Sequence, residues 1–363
     1  MRRRALMLAG LTGLAPAWHG ASAAEVRPGV PIVLPRDFGS HPDFRTEWWY
    51  VTGWLQLPGV EAPYGFQLTF FRSRTDLAAG HPSRFAARQL LFAHAALTDP
   101  LQGRLRHDQR IARAGFGIAE AAEADTDVRL RDWRLVRQAA GDRHVYLATL
   151  AAPTQGFAFD LRFAATQPVL LQGQAGYSRK GPDPLQASHY LSEPQLEVEG
   201  DLRVDGRGHR VTGRAWLDHE WSEALLHPDA VGWDWIGMNL DDGAALTAFQ
   251  LRRADGSALW AGGSLRPAGG AARSFGPDEV RFTPQRRWRS PATNADYPVA
   301  WRVDSPAGSH LVQARLDAQE LDSRGSSGAV YWEGLSELLD ASGRERLGRG
   351  YLEMTGYAGR LRL

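Results

Sequence analysis

Residues 49–57 read WYVTGWLQL, residues 65–72 read GFQLTFFR, and a short loop that contains Pro58 and Gly59 separates them. In the first segment every second residue from position 51 to 57 is apolar or glycine, and Thr52, Trp54 and Gln56 lie between them. This period of two is typical of a β-strand with one buried face. Two such segments joined by a turn rich in Pro and Gly predict a β-hairpin.

A second pair of segments resembles the first. Residues 235–240 read WIGMNL, residues 246–252 read LTAFQLR, and Asp241, Asp242 and Gly243 form the turn signal between them. Alternation recurs along the chain, and hardly any stretch shows the period of an amphipathic helix. The sequence therefore predicts an all-β protein built from two tandem antiparallel β-barrel domains, although two unrelated hairpins of this length would also look alike.

The division between the two domains is placed in the Pro-rich stretch 180–194. We expect an N-terminal domain over residues 24–190 and a C-terminal domain over residues 191–363. The chain is long enough for each domain to bury its own core without disulfides.

The first 23 residues have the pattern of a secretory signal peptide. Arg2, Arg3 and Arg4 precede a short apolar run, and residues 21–23 read ASA, which fits the small-x-small cleavage rule. We expect a mature chain that begins near Ala24 and is periplasmic or secreted, by either the Sec or the twin-arginine route. The apolar run is too short to cross a membrane, and no later run is longer, so the chain is predicted not to span one.

Composition excludes several classes of protein. With 42 basic and 41 acidic residues, the chain lacks the basic excess of a nucleic-acid binder. It has no cysteine, which removes disulfides and thiolate metal sites, and its sole lysine, Lys180, does not follow a phosphate-binding loop. Residues 219–223 read HEWSE, so the second His of a zinc-binding HExxH motif is missing. We predict neither a metal nor a cofactor.

Seven of the 13 tryptophans lie with acids in four clusters, at residues 41–50, 216–223, 232–235 and 331–334. Burial beside indole rings disfavours a carboxylate, so such an acid can stay a proton donor near neutral pH. In a strand, Asp218 and Glu220 share one face and His219 lies on the other. The alternative is structural, because a buried Glu can also brace a barrel end through hydrogen bonds. The predicted catalytic residues are Asp218, Glu220 and His219, the last as a supporting or structural partner, and the predicted ligand-binding residues are Trp216, Trp221, Trp233, Trp235, Glu47, Trp48, Trp49, Trp332 and Glu333.

Six motifs in order resemble one family of secreted proteins, the AttH and hydroxyneurosporene synthase (carotenoid 1,2-hydratase) family. They are DFRTEWWYVTG at 43–53, LFAHAAL at 91–97, AWLDHEWS at 215–222, GWDW at 232–235, YWEG at 331–334 and GYLEMTGY at 350–357. The resemblance implies two lipocalin-like β-barrel domains in tandem. The 216–221 run and the signal peptide look like the secreted AttH branch.

The resemblance implies more than one function. Members are described as hydratases that add water to the terminal alkene of an acyclic carotenoid, as secreted hydrolases, or as proteins that accompany ABC exporters. We therefore expect a lipocalin-like protein that binds an apolar lipid or isoprenoid, in the service of an ABC exporter. The alternative is a metal-free enzyme, a hydratase or hydrolase, that acts on such a molecule through a protonated carboxylic acid.

Overall fold

The computed structural model describes residues 24–76, 81–141, 143–224 and 226–361. The predicted signal peptide, residues 1–23, lies outside the described residues. Two short 3-10 helices, Arg36–Phe38 and Pro153–Gln155, accompany the strands. The strands are β1 (Thr46–Gln56), β2 (Tyr64–Arg74), β3 (Gln89–Asp99), β4 (Arg104–Arg113), β5 (Ala119–Ala121), β6 (Asp127–Leu130), β7 (Trp133–Ala140), β8 (Arg143–Ala152), β9 (Phe157–Ala164), β10 (Leu170–Leu171), β11 (Tyr177–Arg179), β12 (Ala187–Val204), β13 (Arg207–Ser222), β14 (Gly232–Leu240), β15 (Ala245–Arg252), β16 (Ala258–Arg266), β17 (Arg273–Phe275), β18 (Arg281–Arg289), β19 (Asp296–Ser305), β20 (Gly308–Ala314), β21 (Glu320–Ser323), β22 (Ala329–Leu339) and β23 (Arg346–Met354).

The first sheet is antiparallel and curls into a nearly closed barrel. Its strand order is β4-β3-β2-β1-β13-β12-β9-β8-β7-β6-β5, with β10 and β11 paired to β12. The predicted hairpin is confirmed, since β1 pairs with β2 and places Val51 opposite Leu68. Alternate residues of these strands fill the barrel interior, where Val51, Leu68, Phe66 and Phe159 are buried.

The second sheet is also antiparallel, with the order β17-β16-β15-β14-β23-β22-β20-β19-β18 and β21 paired to β22. Its second predicted hairpin, β14 with β15, forms with Trp235 opposite Phe249. A separate core of Ile236, Tyr297 and Trp332 lies on its inner face. The all-β prediction is confirmed, with two large antiparallel sheets in a lipocalin-like arrangement.

The long strands β12 and β13 both belong to the first sheet. The predicted domain division at 190/191 falls inside β12 and stays a prediction. The chain passes from the first sheet to the second between β13 and β14. A bulge in β12 between Glu193 and Leu196 places Gln195 at a φ of 59°.

Gln195 joins the two sheets. Its side-chain Nε2 donates to the carbonyl oxygens of Leu240 at 2.9 Å and Ala244 at 2.8 Å, and its backbone N–H donates to Asn239 at 2.7 Å. An apolar cluster that includes Tyr50 and Trp235 also packs between the sheets. The outer faces of β1 and β13 are therefore covered by the second sheet. In the part of the chain that is described, there is no helix long and apolar enough to span a bilayer.

Candidate functional site

A cavity of about 290 Å3 lies between the two sheets. One wall is the outer face of β1, β2, β3 and β13, and the other wall comes from β14, β15, β22 and β23. Alternation decides which residues reach it: along β1, Trp48 and Tyr50 face the cavity, whereas Trp49 points into the barrel core. Most of the lining is aromatic or aliphatic, with Trp48, Phe71, Phe92, Trp233, Trp235, Phe249 and Leu251 among the wall residues.

Asp218 enters the cavity from β13 and is surrounded by donors. Its Oδ1 accepts hydrogen bonds from Ser192 Oγ at 2.5 Å and Trp216 Nε1 at 2.7 Å, and its Oδ2 accepts one from Tyr190 Oη at 2.8 Å. Burial raises the pKa of Asp218 to about 7, although these three hydrogen bonds oppose the rise. The side chain therefore changes its charge near neutral pH.

Glu220, two residues further on the same face, forms an ion pair with the sole lysine. Lys180 Nζ lies 3.0 Å from Glu220 Oε1, and Ser188 Oγ donates to the same oxygen. The ammonium group also lies 4.6 Å from the ring centroid of Tyr190 and 4.4 Å from that of Phe249. A cation held between a carboxylate and two ring faces is stabilised although it is buried.

Two more acids come from the second sheet. Glu333 on β22 lies directly opposite Glu353 on β23. Burial and the neighbouring carboxylate raise the pKa of Glu333 well above its usual range, and burial is the main cause that raises the pKa of Glu353 to about 7. Two carboxyl groups that share one site cannot both ionise at low cost. At least one of this pair therefore carries a proton near neutral pH.

One oxygen of Glu333 has a partner in the protein and the other has none. Gln67 Nε2 donates to Glu333 Oε2 at 2.7 Å. Among the described residues, Glu333 Oε1, Gln67 Oε1 and the hydroxyl of Tyr50 are buried without a hydrogen bond of normal geometry, and the Tyr50 hydroxyl lies close enough to Glu333 for the two groups to affect each other's pKa. Unpaired buried polar atoms are costly. Their convergence at the cavity wall marks a place where a ligand atom or a water can bind.

A hydrogen-bonded chain fixes the orientation of Gln67. Its Nε2 also lies 3.2 Å from Tyr331 Oη, which is 2.8 Å from His94 Nδ1, and His94 Nε2 lies 2.9 Å from Ser326 Oγ. Burial lowers the pKa of His94 to about 3, so the ring is neutral at physiological pH. With the ring proton on Nε2, Tyr331 donates to His94 and accepts from Gln67. The Gln67 amide nitrogen is thereby directed towards Glu333.

A second polar cluster lies on the opposite face of β1 and β13. His41 Nδ1 and His219 Nε2 lie 2.7 Å and 2.9 Å from Glu47 Oε1, and Arg72 Nε lies 2.7 Å from Glu47 Oε2. Trp221 stacks on His41 with the centroids 3.7 Å apart. Despite complete burial, these hydrogen bonds and charges hold the pKa of Glu47 well below its usual range.

The ligand atoms of His41, Glu47 and His219 lie within 4.8 Å of one another, a spacing that a metal ion could bridge. The guanidinium of Arg72 and the backbone N–H of His41 already occupy the Glu47 carboxylate, however. The guanidinium bonds to Oε2 and the two histidines face Oε1, so a cation bound by the histidines would lie next to a buried positive charge. These contacts agree with the structural alternative for Glu47, the bracing of the barrel end, which stays a prediction.

The structure brings some predicted site residues together and separates others. The acids Asp218, Glu220 and Glu333 line the cavity with Trp48, Trp233 and Trp235. The indole of Trp216 donates a hydrogen bond to Asp218 but does not line the cavity. Glu47 borders the cavity, and its carboxylate bonds to His41, His219 and Arg72 at the end of the barrel. His219, Trp221 and Trp49 belong to the barrel side, and Trp332 lies in the second core. Their predicted roles in catalysis and binding stay predictions.

Several cavity residues were not assigned from the sequence. They are Gln67, His94, Lys180, Tyr190, Tyr331 and Glu353. Lys180 carried a signal, because it is the only lysine in a chain with 41 acids. Glu353 carried another, because it lies in a Tyr-x-Glu sequence like that at 331–333. Gln67 and His94 could not be singled out, since their importance comes from partners far away in the sequence.

The chain is similar to one protein family and to several solved structures. The family model described as AttH-like matches residues 25–357. The crystal structure of a protein from Nitrosomonas europaea assigned to AttH is 50% identical, covers 92% of this chain and 99% of its own, and superposes with a TM-score of 0.84. No match is found among curated proteins.

Two more distant structures share the fold. Kievitone hydratase from Nectria haematococca is 13% identical, covers 93% of this chain and 96% of its own, and has a TM-score of 0.67. The crystal structure of CghA with Sch210972 is 14% identical, with coverage of 94% and 97% and a TM-score of 0.55. At these identities the likeness concerns the fold alone.

Proposed function

The chain belongs to the AttH-like family. From that premise we propose that it binds an apolar, isoprenoid-like molecule between its two sheets. It then acts as an acid catalyst and adds water to a carbon–carbon double bond of that molecule. The observation that carries the proposal is Glu333, a buried carboxyl group with one oxygen unpaired at an apolar cavity. Binding of an apolar ligand, the function predicted first from the sequence, is the first step of this reaction.

The hydrogen bonds support Glu333 as the proton donor. Gln67 donates to Oε2, so the acid proton resides on Oε1, the oxygen without a protein partner. Asp218 is less suited to donate, because both of its oxygens already accept hydrogen bonds. We assign to Asp218 a negative charge near the reacting carbons that appears when its proton is lost, and to Glu220 the placement of the Lys180 ammonium group.

The proposed reaction balances with water as the only co-reactant. Glu333 transfers its Oε1 proton to one alkene carbon, and the electron pair of the double bond forms the new C–H bond. The other carbon becomes a tertiary carbocation, which a water oxygen attacks. The oxonium ion then returns a proton to Glu333, and the net change is alkene plus water to tertiary alcohol. Tyr50 and Gln67 have unpaired oxygens with which to position that water.

The charge of the cavity favours hydration over hydrolysis of an ester or amide. Hydrolysis passes through an oxyanion, which is stabilised by donors such as backbone N–H groups or cations. The acids that line the cavity outnumber its bases, and each of them that is ionised would repel an oxyanion. The name of kievitone hydratase, which shares the fold, agrees with water addition.

Deuterium incorporation tests the proposal without knowledge of the natural substrate. Acyclic isoprenoid alkenes that displace the neutral fluorescent probe N-phenyl-1-naphthylamine would be incubated with the protein in D2O, and products would be examined by mass spectrometry. We expect carbon-bound deuterium in the alcohol product. Glu333→Gln should keep probe affinity within about twofold and reduce incorporation at least about 100-fold, as loss of a general acid does.

Glu337→Gln is the matched control, since Glu337 lies on the same strand but outside the cavity lining. It should leave incorporation unchanged. Probe binding without deuterium incorporation for any alkene would indicate a carrier instead of an enzyme. Full incorporation by Glu333→Gln would exclude Glu333 as the donor.

Two proposals from the sequence concern the cell. We retain export directed by residues 1–23 and an association with an ABC exporter as proposals. Fractionation of cells that express the full chain would check the first, since the mature protein should be recovered in the periplasm or medium.

A further inference from the structure

The cavity contains an excess of acids over bases. Five acids line it, and one of them, Glu47, is paired with the lining base Arg72. The other four are Asp218, Glu220, Glu333 and Glu353, and the remaining lining base among the described residues, apart from the neutral His94, is Lys180. The Lys180–Glu220 ion pair accounts for one acid. Three carboxyl groups are left, and at the apolar centre of the protein their charges must be removed by protons or balanced by a cation.

The aromatic walls are suited to a cation. The faces of indole rings attract positive charge, and Trp48, Trp233 and Trp235 all line the space beside the acids. The cavity already holds one cation in this way, because Lys180 Nζ lies 4.6 Å and 4.4 Å from the ring centroids of Tyr190 and Phe249. A bound cation would therefore find both ring faces and a carboxylate.

We propose that this cavity prefers lipophilic cations to neutral molecules of the same shape, and that it releases a proton when such a cation binds. The inference rests on the proposed function, because the carbocation of the hydration step is the natural cation of the site. The proton comes from the carboxyl groups, since one of them ionises to balance the new charge.

The other titratable groups at the site do not supply that proton. The hydroxyls of Tyr50, Tyr190 and Tyr331 have pKa values well above their usual range because they are buried next to acids. His94 is already neutral, and Glu47 is already ionised because its hydrogen bonds to His219 and His41 and the charge of Arg72 lower its pKa. Asp218, Glu333 and Glu353 remain as the source.

Benzyltrimethylammonium and neopentylbenzene test the proposal, because they have nearly the same shape and differ in charge. Affinities would be measured by competition with N-phenyl-1-naphthylamine at pH 8 and pH 5. At pH 8 we expect the cation to bind at least about tenfold more tightly, the size of a desolvated cation–π contact with an ion pair. The preference should shrink at pH 5, where the acids keep their protons. Calorimetry near pH 7, where the acids hold protons that they can lose, in two buffers of different ionisation enthalpy should detect proton release for the cation alone.

Single substitutions show which acids produce the preference for a cation. Glu353→Gln and Glu333→Gln should each lower the cation preference at least about threefold and leave the affinity for neopentylbenzene unchanged. Glu197→Gln, which makes the same change at an exposed site on β12, should alter neither affinity. Two variants keep the test valid if one fails to fold.

The outcomes separate this inference from the proposed function. Equal affinity for both probes, or cation binding without proton release, would overturn the cation preference and leave apolar binding intact. Failure of both probes to bind would overturn the inference together with the assignment of the cavity as the ligand site.

Discussion

Asp218→Asn should change the pH dependence of stability more than the stability itself. The pKa of Asp218 is about 7 in the folded protein, and its ordinary value is 3.8. Between these values the folded state holds a proton that the unfolded chain has lost. Stability is therefore greatest at low pH, decreases as the pH rises, and levels off above about 7. From pH 5 to pH 8 this one group should cost about 2.5 kcal/mol of unfolding free energy.

Asparagine removes that titration and keeps most of the contacts. Its carbonyl oxygen can accept from Ser192 and Trp216, and its amide can donate to the hydroxyl of Tyr190, which then has to turn. The imperfect third bond should cost about 1 kcal/mol at pH 5. At pH 8, where the wild-type carboxyl is ionised, the variant should be the more stable protein.

Urea unfolding followed by tryptophan fluorescence at the two pH values measures both free energies. Asp160→Asn is the control, because Asp160 is exposed on β9 and should leave the pH dependence as in the wild type. If the wild-type and Asp218→Asn stabilities change in parallel between pH 5 and pH 8, burial does not hold Asp218 in its protonated form. The electrostatic argument for the cavity would then be wrong.

Two other substitutions test the polar networks. Glu47→Gln leaves the Arg72 guanidinium buried without its carboxylate, and should lower the unfolding free energy by about 3–5 kcal/mol, measured by urea denaturation. His94→Phe removes the acceptor of the Tyr331 hydroxyl, so the infrared carbonyl band of the Glu333 carboxyl should shift and deuterium incorporation should fall. His94→Gln, which can accept and donate at the same places, should restore both; an unshifted band in His94→Phe would show that the chain does not orient Glu333.

The faces of individual strands could be predicted from the sequence. Alternation placed Asp218 and Glu220 on one side of β13 and His219 on the other, and the structure has them so. The same rule separates Trp48 from Trp49, which the sequence analysis grouped as ligand-binding although neighbours in a strand point in opposite directions. Period-two patterns are local, and they are therefore visible in the sequence alone.

Pairings between distant strands could not be predicted. Glu333 meets Glu353 only because the turn between β22 and β23 sets that register, and a shift by one residue would move one of them to the other face. Lys180 and Glu220 are forty residues apart and join through the arrangement of β11 and β13 around β12. The proton donor proposed from the structure therefore differs from those proposed from the acidic run alone.

The cavity has walls that belong to different sheets. Side chains on the strands carry its chemistry, and several contacts between the sheets set its width: those of Gln195 with Leu240 and Ala244, and those of Gln67 with Glu333 and His94 with Tyr331. A change in the Gln195 contacts alone would alter the spacing of the sheets without replacing any acid of the cavity. The size of the ligand that fits and the chemistry of the groups that face it therefore depend in part on different residues.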